Sequence, residues 1–350
     1  MIEEKAKIRQ KGYKTMSKNP TVVFVQPREV VIEEREIPSP QLNELLIKTE
    51  YTLISTGTEL TIVNGEYSPS SVWARISKFP SVLGYSNVGR VIAAGENIDR
   101  SWIGREVVSH SYHASYVVSS IEGIEPIDRP IPKEEATLFE LARTVMNGVR
   151  RARVQFGETV VIYGLGLLGQ LATRFCWLAG ARPVIGIEIA ESRLGKLPSK
   201  SGIIGLNPQK EDATTKVKEL TRGRMADVVF EVTGNPHLIP DEFRLLRRQG
   251  RFIVLSSPRG TTTFDFHDLC NRPSFTIIGT HNSSHPLYPV LDNPWTKARH
   301  TELFFDLIAD GELDIGNLIT HHISYKKAPD IYQMLLKDRS KAMGVVLEWE

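Results

Sequence analysis

Residues 164–169 read Gly164-Leu165-Gly166-Leu167-Leu168-Gly169, three glycines at GxGxxG spacing. They follow the apolar run Thr159-Val160-Val161-Ile162-Tyr163 and precede a helix-forming run that begins at Gln170. In that setting each glycine has a task on an anion. Gly164 permits the tight turn, Gly166 lets backbone approach a diphosphate, and Gly169 lets the helix pack against the strand. The helix start, with Leu167 and Leu168, offers free N–H groups and a partial positive charge. The next apolar run, Pro183-Val184-Ile185-Gly186-Ile187, ends at Glu188, 19 residues beyond Gly169. A carboxylate there accepts hydrogen bonds from the adenosine ribose hydroxyls and repels a 2′-phosphate. The pattern predicts a nicotinamide dinucleotide site with NAD preferred and NADP possible, because Arg193 nearby partly offsets the preference.

Three further strand-like runs follow, at 226–234, 250–257 and 275–280, the second after an expected helix that ends in Leu245-Leu246-Arg247-Arg248. Ligands of open α/β sheets sit outside the carboxyl ends of strands, which puts Thr233, Ser256 and Thr280 near the dinucleotide. His110 and His113 invite a metal reading. Read as one extended strand, positions three apart face opposite sides, so the two rarely bind one ion. His110 stays a candidate for proton transfer or substrate binding. His281 and His285 follow Thr280 on a polar loop, and His321-His322 is expected at the surface.

These residues need elements to position them. Residues 21–25, 29–33, 44–49 and 88–93 are short β-branched runs with turn signals between them, expected to build a barrel-like or sandwich domain. A helical pattern opens at Lys133 and continues to about Arg153. Strands and helices then alternate, the signature of a parallel α/β sheet. After about Asn293 the chain turns helical again, and 341–347 reads as a returning strand. The expected organisation is a flexible, charged tail over 1–20, a β-rich domain over 21–142, a Rossmann domain over 143–292, and a return to the first domain over 293–350.

The 350-residue chain is 41% hydrophobic and 24% charged with a formal net charge of +2. That balance gives no reason to expect a nucleic-acid or membrane partner, and no apolar stretch reaches 18 residues. The start lacks the pattern of a secretory signal, and Met16 is a second possible start. Two cysteines, Cys176 and Cys270, are too few for a disulfide framework or a four-cysteine zinc lobe. A cytoplasmic location is the simplest expectation.

Taken together, Ser55-Thr56-Gly57-Thr58-Glu59, Pro80-Ser81-Val82-Leu83-Gly84-Tyr85-Ser86-Asn87-Val88-Gly89, Phe139-Glu140-Leu141-Ala142, the glycine turn and 227–236 resemble the medium-chain dehydrogenase/reductase superfamily, the zinc-type alcohol, polyol and threonine dehydrogenases. The resemblance runs from about Thr21 to nearly the end. It implies a GroES-like β domain beside a Rossmann domain, an active site in the cleft between them, and a homodimer or homotetramer. The zinc ligands are where the resemblance breaks. Thr56-Gly57-Thr58-Glu59 stands where zinc-dependent members carry Cys-Gly-Ser/Thr-Asp, and Gly84-Tyr85-Ser86 where they carry Gly-His-Glu. Only Glu140 survives, and one carboxylate cannot hold zinc tightly. No zinc is expected.

Without that Lewis acid, side chains must handle the proton. The resemblance nominates Thr58 as a hydroxyl relay, Tyr85 as a phenol donor to a carbonyl, and Glu140 as a base if burial raises its pKa, with pairing to Arg143 as the competing role. It also nominates Thr144, Leu255 and Ser256 around the nicotinamide. With Glu59, His281 and Asn282 as substrate-binding candidates, the polar set suggests a hydroxyl-rich small molecule: a sugar, polyol or cyclitol. The leading expectation is a zinc-independent oxidoreductase interconverting a secondary alcohol and a ketone. A zinc-free enone or quinone reductase and a non-catalytic dinucleotide sensor are the alternatives.

Overall fold

The computed structural model describes residues 18–65 and 67–350. Strand β1 (Asn19–Gln26) pairs antiparallel with β2 (Glu29–Arg35) through the turn at Pro27-Arg28. Most of the expected tail, residues 1–17, lies outside the described residues, but its boundary at 20 is corrected. Asn19 is buried in β1, and its side-chain amide exchanges two hydrogen bonds with the backbone of Tyr116.

A seven-stranded sheet follows from β3 (Glu44–Leu53), β4 (Asn87–Ala94), β5 (Glu106–Ser109), β6 (Tyr116–Ser120) and β7 (Ile124–Pro126). Two strands from the end of the chain complete it, β14 (Ile319–Ser324) and β15 (Gly344–Glu348). The order is β14-β15-β3-β4-β5-β7, with β6 also pairing β3. β15 lies antiparallel to β3, Val346 opposite Leu53, so the chain's end closes the sheet its first third began.

The second sheet has six parallel strands: β8 (Val160–Tyr163), β9 (Val184–Ile187), β10 (Ile203–Leu206), β11 (Ala226–Glu231), β12 (Leu246–Val254) and β13 (Thr276–Gly279), in the order β10-β9-β8-β11-β12-β13. Val160, Val161, Ile162, Val184, Ile185, Val228, Val229 and Phe230 are fully buried, as expected for central parallel strands with both faces covered. The order reverses between β8 and β11, and the crevice at such a switch point is where a ligand binds. This is the expected α/β Rossmann fold (a doubly wound parallel sheet) beside a GroES-like β-rich unit. One continuous core spans both, from Leu53 and Val88 through Phe139, Val145 and Leu165 to Phe304 and Val346.

Three local expectations change. The helix read from Lys133 to Arg153 is two, Lys133–Ala136 and Phe139–Arg151. Leu246, Arg247 and Arg248 open β12, and the helix before them ends at Phe243. Leu246 alternates inward with the buried Phe252 run of a strand. His110 and His113 do not share a strand: they lie in the loop between β5 and β6. Among the described residues no helix is long and apolar enough to cross a membrane.

Candidate active site

A cleft of about 580 Å³ opens at the carboxyl ends of the parallel strands, against the β-rich unit. The glycine turn forms one wall. Gly164 has φ +99°, a conformation costly for any residue with a Cβ, and a Cβ on Gly169 would stand 1.9 Å from the Gly164 carbonyl oxygen. Gly169 therefore works by packing and does not line the cleft. Gly166 has open space where a Cβ would be and sits at the N-cap of the helix Leu167–Leu178, which begins three residues earlier than the expected Gln170. No acidic side chain occupies that helix's first turn. Gly164, Gly166, Leu167 and Leu168 line the cleft at this helix start, and backbone amides there fit a dinucleotide diphosphate.

Glu188, just past β9, lines the same cleft with 7% of its surface exposed. Its carboxylate accepts hydrogen bonds from the Leu165 amide at 2.9 Å and from the Ile189 and Ala190 amides at 2.9 and 3.1 Å. Arg193 Nη1 stands 3.4 Å from it. The acid is thus held in place by the turn it serves. Thr233, Leu255 and Ser256 line the opposite wall. Thr280 does not reach the cleft: it is buried, and its hydroxyl bonds the Val254 carbonyl.

Glu231 was not singled out from sequence, yet it fixes this wall. It is fully buried at the end of β11, and its Oε1 accepts from the Thr233 amide and hydroxyl, each at 2.7 Å, and from the Gly234 amide at 2.8 Å. Its Oε2 accepts from the Ser256 hydroxyl. One carboxylate therefore ties the turns after β11 and β12 together. The signal was present as a lone acid inside an apolar strand, Val228-Val229-Phe230-Glu231-Val232.

The β-rich unit supplies the remaining polar groups. Tyr85 shares a hydrogen bond with Ser55, another residue not anticipated, and stacks on His110 with ring centroids 5.7 Å apart. Burial pushes the Tyr85 phenol up to about 12, against hydrogen bonds from Ser55 and Thr58 that lower it, so it carries its proton at neutral pH. Thr58 opens the helix Thr58–Asn64 and lines the cleft beside it. Trp73 and Arg339 also line it, and no sequence pattern marked either.

Glu140 is 1% exposed, and the raised pKa on which its expected role as a base depended is not found. Desolvation raises its pKa, but the hydrogen bond from His110 and the charge of Arg143 outweigh that, and the group titrates below the ordinary glutamate value. Arg143 donates from Nε to Oε2 at 2.8 Å and from Nη2 to Oε1, and Asn282 Nδ2 donates to Oε2 at 3.1 Å. His110 is 56% exposed and donates from Nδ1 to Oε1. Thr144 lines the cleft with its hydroxyl turned back to the Glu140 carbonyl at 2.8 Å. His281 is an exposed loop residue at the rim, and its neighbour Asn282 keeps a buried Oδ1 with no hydrogen-bond partner among the described residues.

Glu59 is corrected as a substrate-binding residue. It is 1% exposed and lies behind the cleft wall, accepting from the Ser55 amide at 2.8 Å, from His113 Nε2 at 3.1 Å and from the Tyr332 hydroxyl. It anchors the helix Thr58–Asn64, and with it Thr58, to the helix Ala328–Lys337.

The donors present do not fit a zinc ion. At the family's ligand positions stand Thr56, Tyr85 and Glu140, and both oxygens of the one carboxylate are covered by a guanidinium. A divalent cation there would meet Arg143 at contact distance.

Comparison with known proteins places these features. The family model described as alcohol dehydrogenase GroES-like domain matches residues 41–124, and that described as zinc-binding dehydrogenase matches 168–293. L-galactonate-5-dehydrogenase of Escherichia coli (strain K12) is 24% identical over 365 residues, covering 95% of this chain and 99% of that protein. Erythritol/L-threitol dehydrogenase of Mycolicibacterium smegmatis is 27% identical over 309 residues, 74% of this chain and 82% of that protein. A crystal structure of an Escherichia coli oxidoreductase/dehydrogenase of unknown specificity superposes with a TM-score of 0.80 at 20% identity, covering 95% of this chain and 99% of that one. At that identity it speaks for the fold.

Proposed function

This chain belongs to the medium-chain dehydrogenase/reductase superfamily, and from that premise we propose that it interconverts a secondary alcohol and a ketone on a hydroxyl-rich small molecule without zinc, using a nicotinamide dinucleotide with NAD preferred. The observation that carries the reading is a single cleft in which the Gly164–Leu168 amides and Glu188 meet Tyr85, Thr58 and His110.

When bound, the dinucleotide would supply or accept the hydride. The chain's own residues hold and exchange the proton. Tyr85, protonated at neutral pH, donates to the carbonyl oxygen of a ketone from its place against Ser55 and Thr58. His110 reaches both the cleft and solvent, so it can return that proton from water, while Glu140 orients its ring through the bond at Nδ1. Glu188 receives the adenosine ribose, and Thr144, Leu255 and Ser256 line the position of the nicotinamide. Asn282 and His281 add polar groups to the cleft wall and rim, which favours a sugar, polyol or cyclitol over a simple alkyl alcohol.

Following NADH consumption against keto-sugars, inososes, enones and quinones tests the reading. Turnover confined to keto-sugars or inososes, lost in Tyr85→Phe, is expected. Turnover only on enones or quinones, or no affinity for either dinucleotide, overturns it.

A further inference from the structure

Arg143 and Glu140 are three residues apart on the helix Phe139–Arg151, both almost completely buried, and joined through two nitrogens and both carboxylate oxygens. The guanidinium also lies 4.9 Å over the Phe139 ring and reaches Glu125 with Nη1 at 3.2 Å. Its position is therefore set from three sides, and it cannot swing away without stranding a buried carboxylate. An isolated carboxylate in such a place would be left uncompensated in a poorly solvating interior or would become protonated. In a chain whose other ligand positions hold Thr56 and Tyr85, this is the point where a metal ion's charge would otherwise be needed.

We propose that Arg143 is a built-in substitute for the metal: a fixed guanidinium that supplies the positive charge opposite Glu140, holds both of its oxygens in place beside His110, and closes the pocket to divalent cations. Arginine suits this role because its planar fork satisfies both oxygens at once and does not lose its proton. Arg143 touches neither substrate nor dinucleotide; it is a positioning residue that acts through Glu140 and His110. The inference rests on the zinc-independent reading above.

The test is metal uptake and thermal unfolding of the full chain, read without substrate or dinucleotide. Cobalt(II), whose visible absorption reports ligation, is titrated into wild type, Arg143→Met, Arg143→Lys and the double variant Arg143→Met/Glu140→Gln. Wild type and Arg143→Lys should show no stoichiometric site. Arg143→Met should bind cobalt at least about tenfold more tightly than wild type, and the added Glu140→Gln should remove that gain. Should Arg143→Met fold poorly, the double variant, which removes both charges, should melt at a higher temperature than the single one. Stoichiometric cobalt on wild type would overturn the inference, as would a double variant no more stable than Arg143→Met. The second result would leave zinc-free turnover standing, whereas inactivity on every sugar ketone would strike the functional reading alone.

Discussion

Asn282 donates to Glu140 across 3.1 Å, and this bond joins the loop after β13 to the helix Phe139–Arg151. Asn147 of the same helix donates to Ser284 at 2.8 Å, so the loop is held to the helix at two points about two turns apart. Replacing Asn282 with Asp sets a second negative charge against a buried carboxylate. A loss of about 2 kcal/mol is expected, measured by urea unfolding. An unchanged midpoint would show the loop to be free in solution.

Glu231→Gln keeps the shape of the clamp between the turns after β11 and β12 but exchanges one acceptor oxygen for an amide donor. The Thr233 and Gly234 amides or the Ser256 hydroxyl then lose a charge-assisted partner, at about 2 kcal/mol. Dinucleotide affinity, read by quenching of tryptophan fluorescence, should weaken by about tenfold or more. Affinity equal to wild type would reduce Glu231 to a packing residue.

Gly169→Ala pushes a methyl group onto the Gly164 carbonyl, 1.9 Å from where its carbon must stand. Either the turn opens or the helix moves, and both disrupt the diphosphate recess. Stability should fall by about 1–3 kcal/mol and dinucleotide binding should be lost with it. Calorimetric titration of the folded variant at native affinity would contradict this account of the turn.

Glu242 is fully buried in the helix Ile239–Phe243, and neither carboxyl oxygen has a hydrogen-bond partner among the described residues. Burial, with the charge of Glu231 adding to it, raises its pKa to about 9. The folded state thus holds a proton that the unfolded chain releases near the ordinary glutamate value. The stabilisation linked to that proton is complete below that value and is lost as pH rises toward about 9. Glu242→Gln should flatten this dependence and leave the variant more stable than wild type at pH 9, by a few kcal/mol. Parallel unfolding midpoints for the two proteins from pH 5 to pH 9 would remove the argument.

The turn through Gly164, Gly166 and Gly169 and the place of Glu188 at the end of β9 were legible in the sequence because they depend on local geometry. A tight turn, a helix start and the next strand's end fall within 25 residues and leave little to the rest of the chain. The alternation of strands and helices likewise announced a parallel sheet, because hydrophobic period records which faces are covered. The fate of the carboxylates was not legible. Glu59, Glu140 and Glu231 look alike as letters, yet one anchors a loop to Tyr332, one is gripped by Arg143, and one clamps Thr233 to Ser256. Partners such as Tyr332 for Glu59 stand 273 positions away, and a carboxylate's charge state follows from burial and from what donates to it, neither of which is written in its neighbours. The chain by itself determined that a glycine turn leads from a buried strand into a helix start. Only the packing of the β-rich unit against it decided which polar side chains face the cleft and which are spent holding it together.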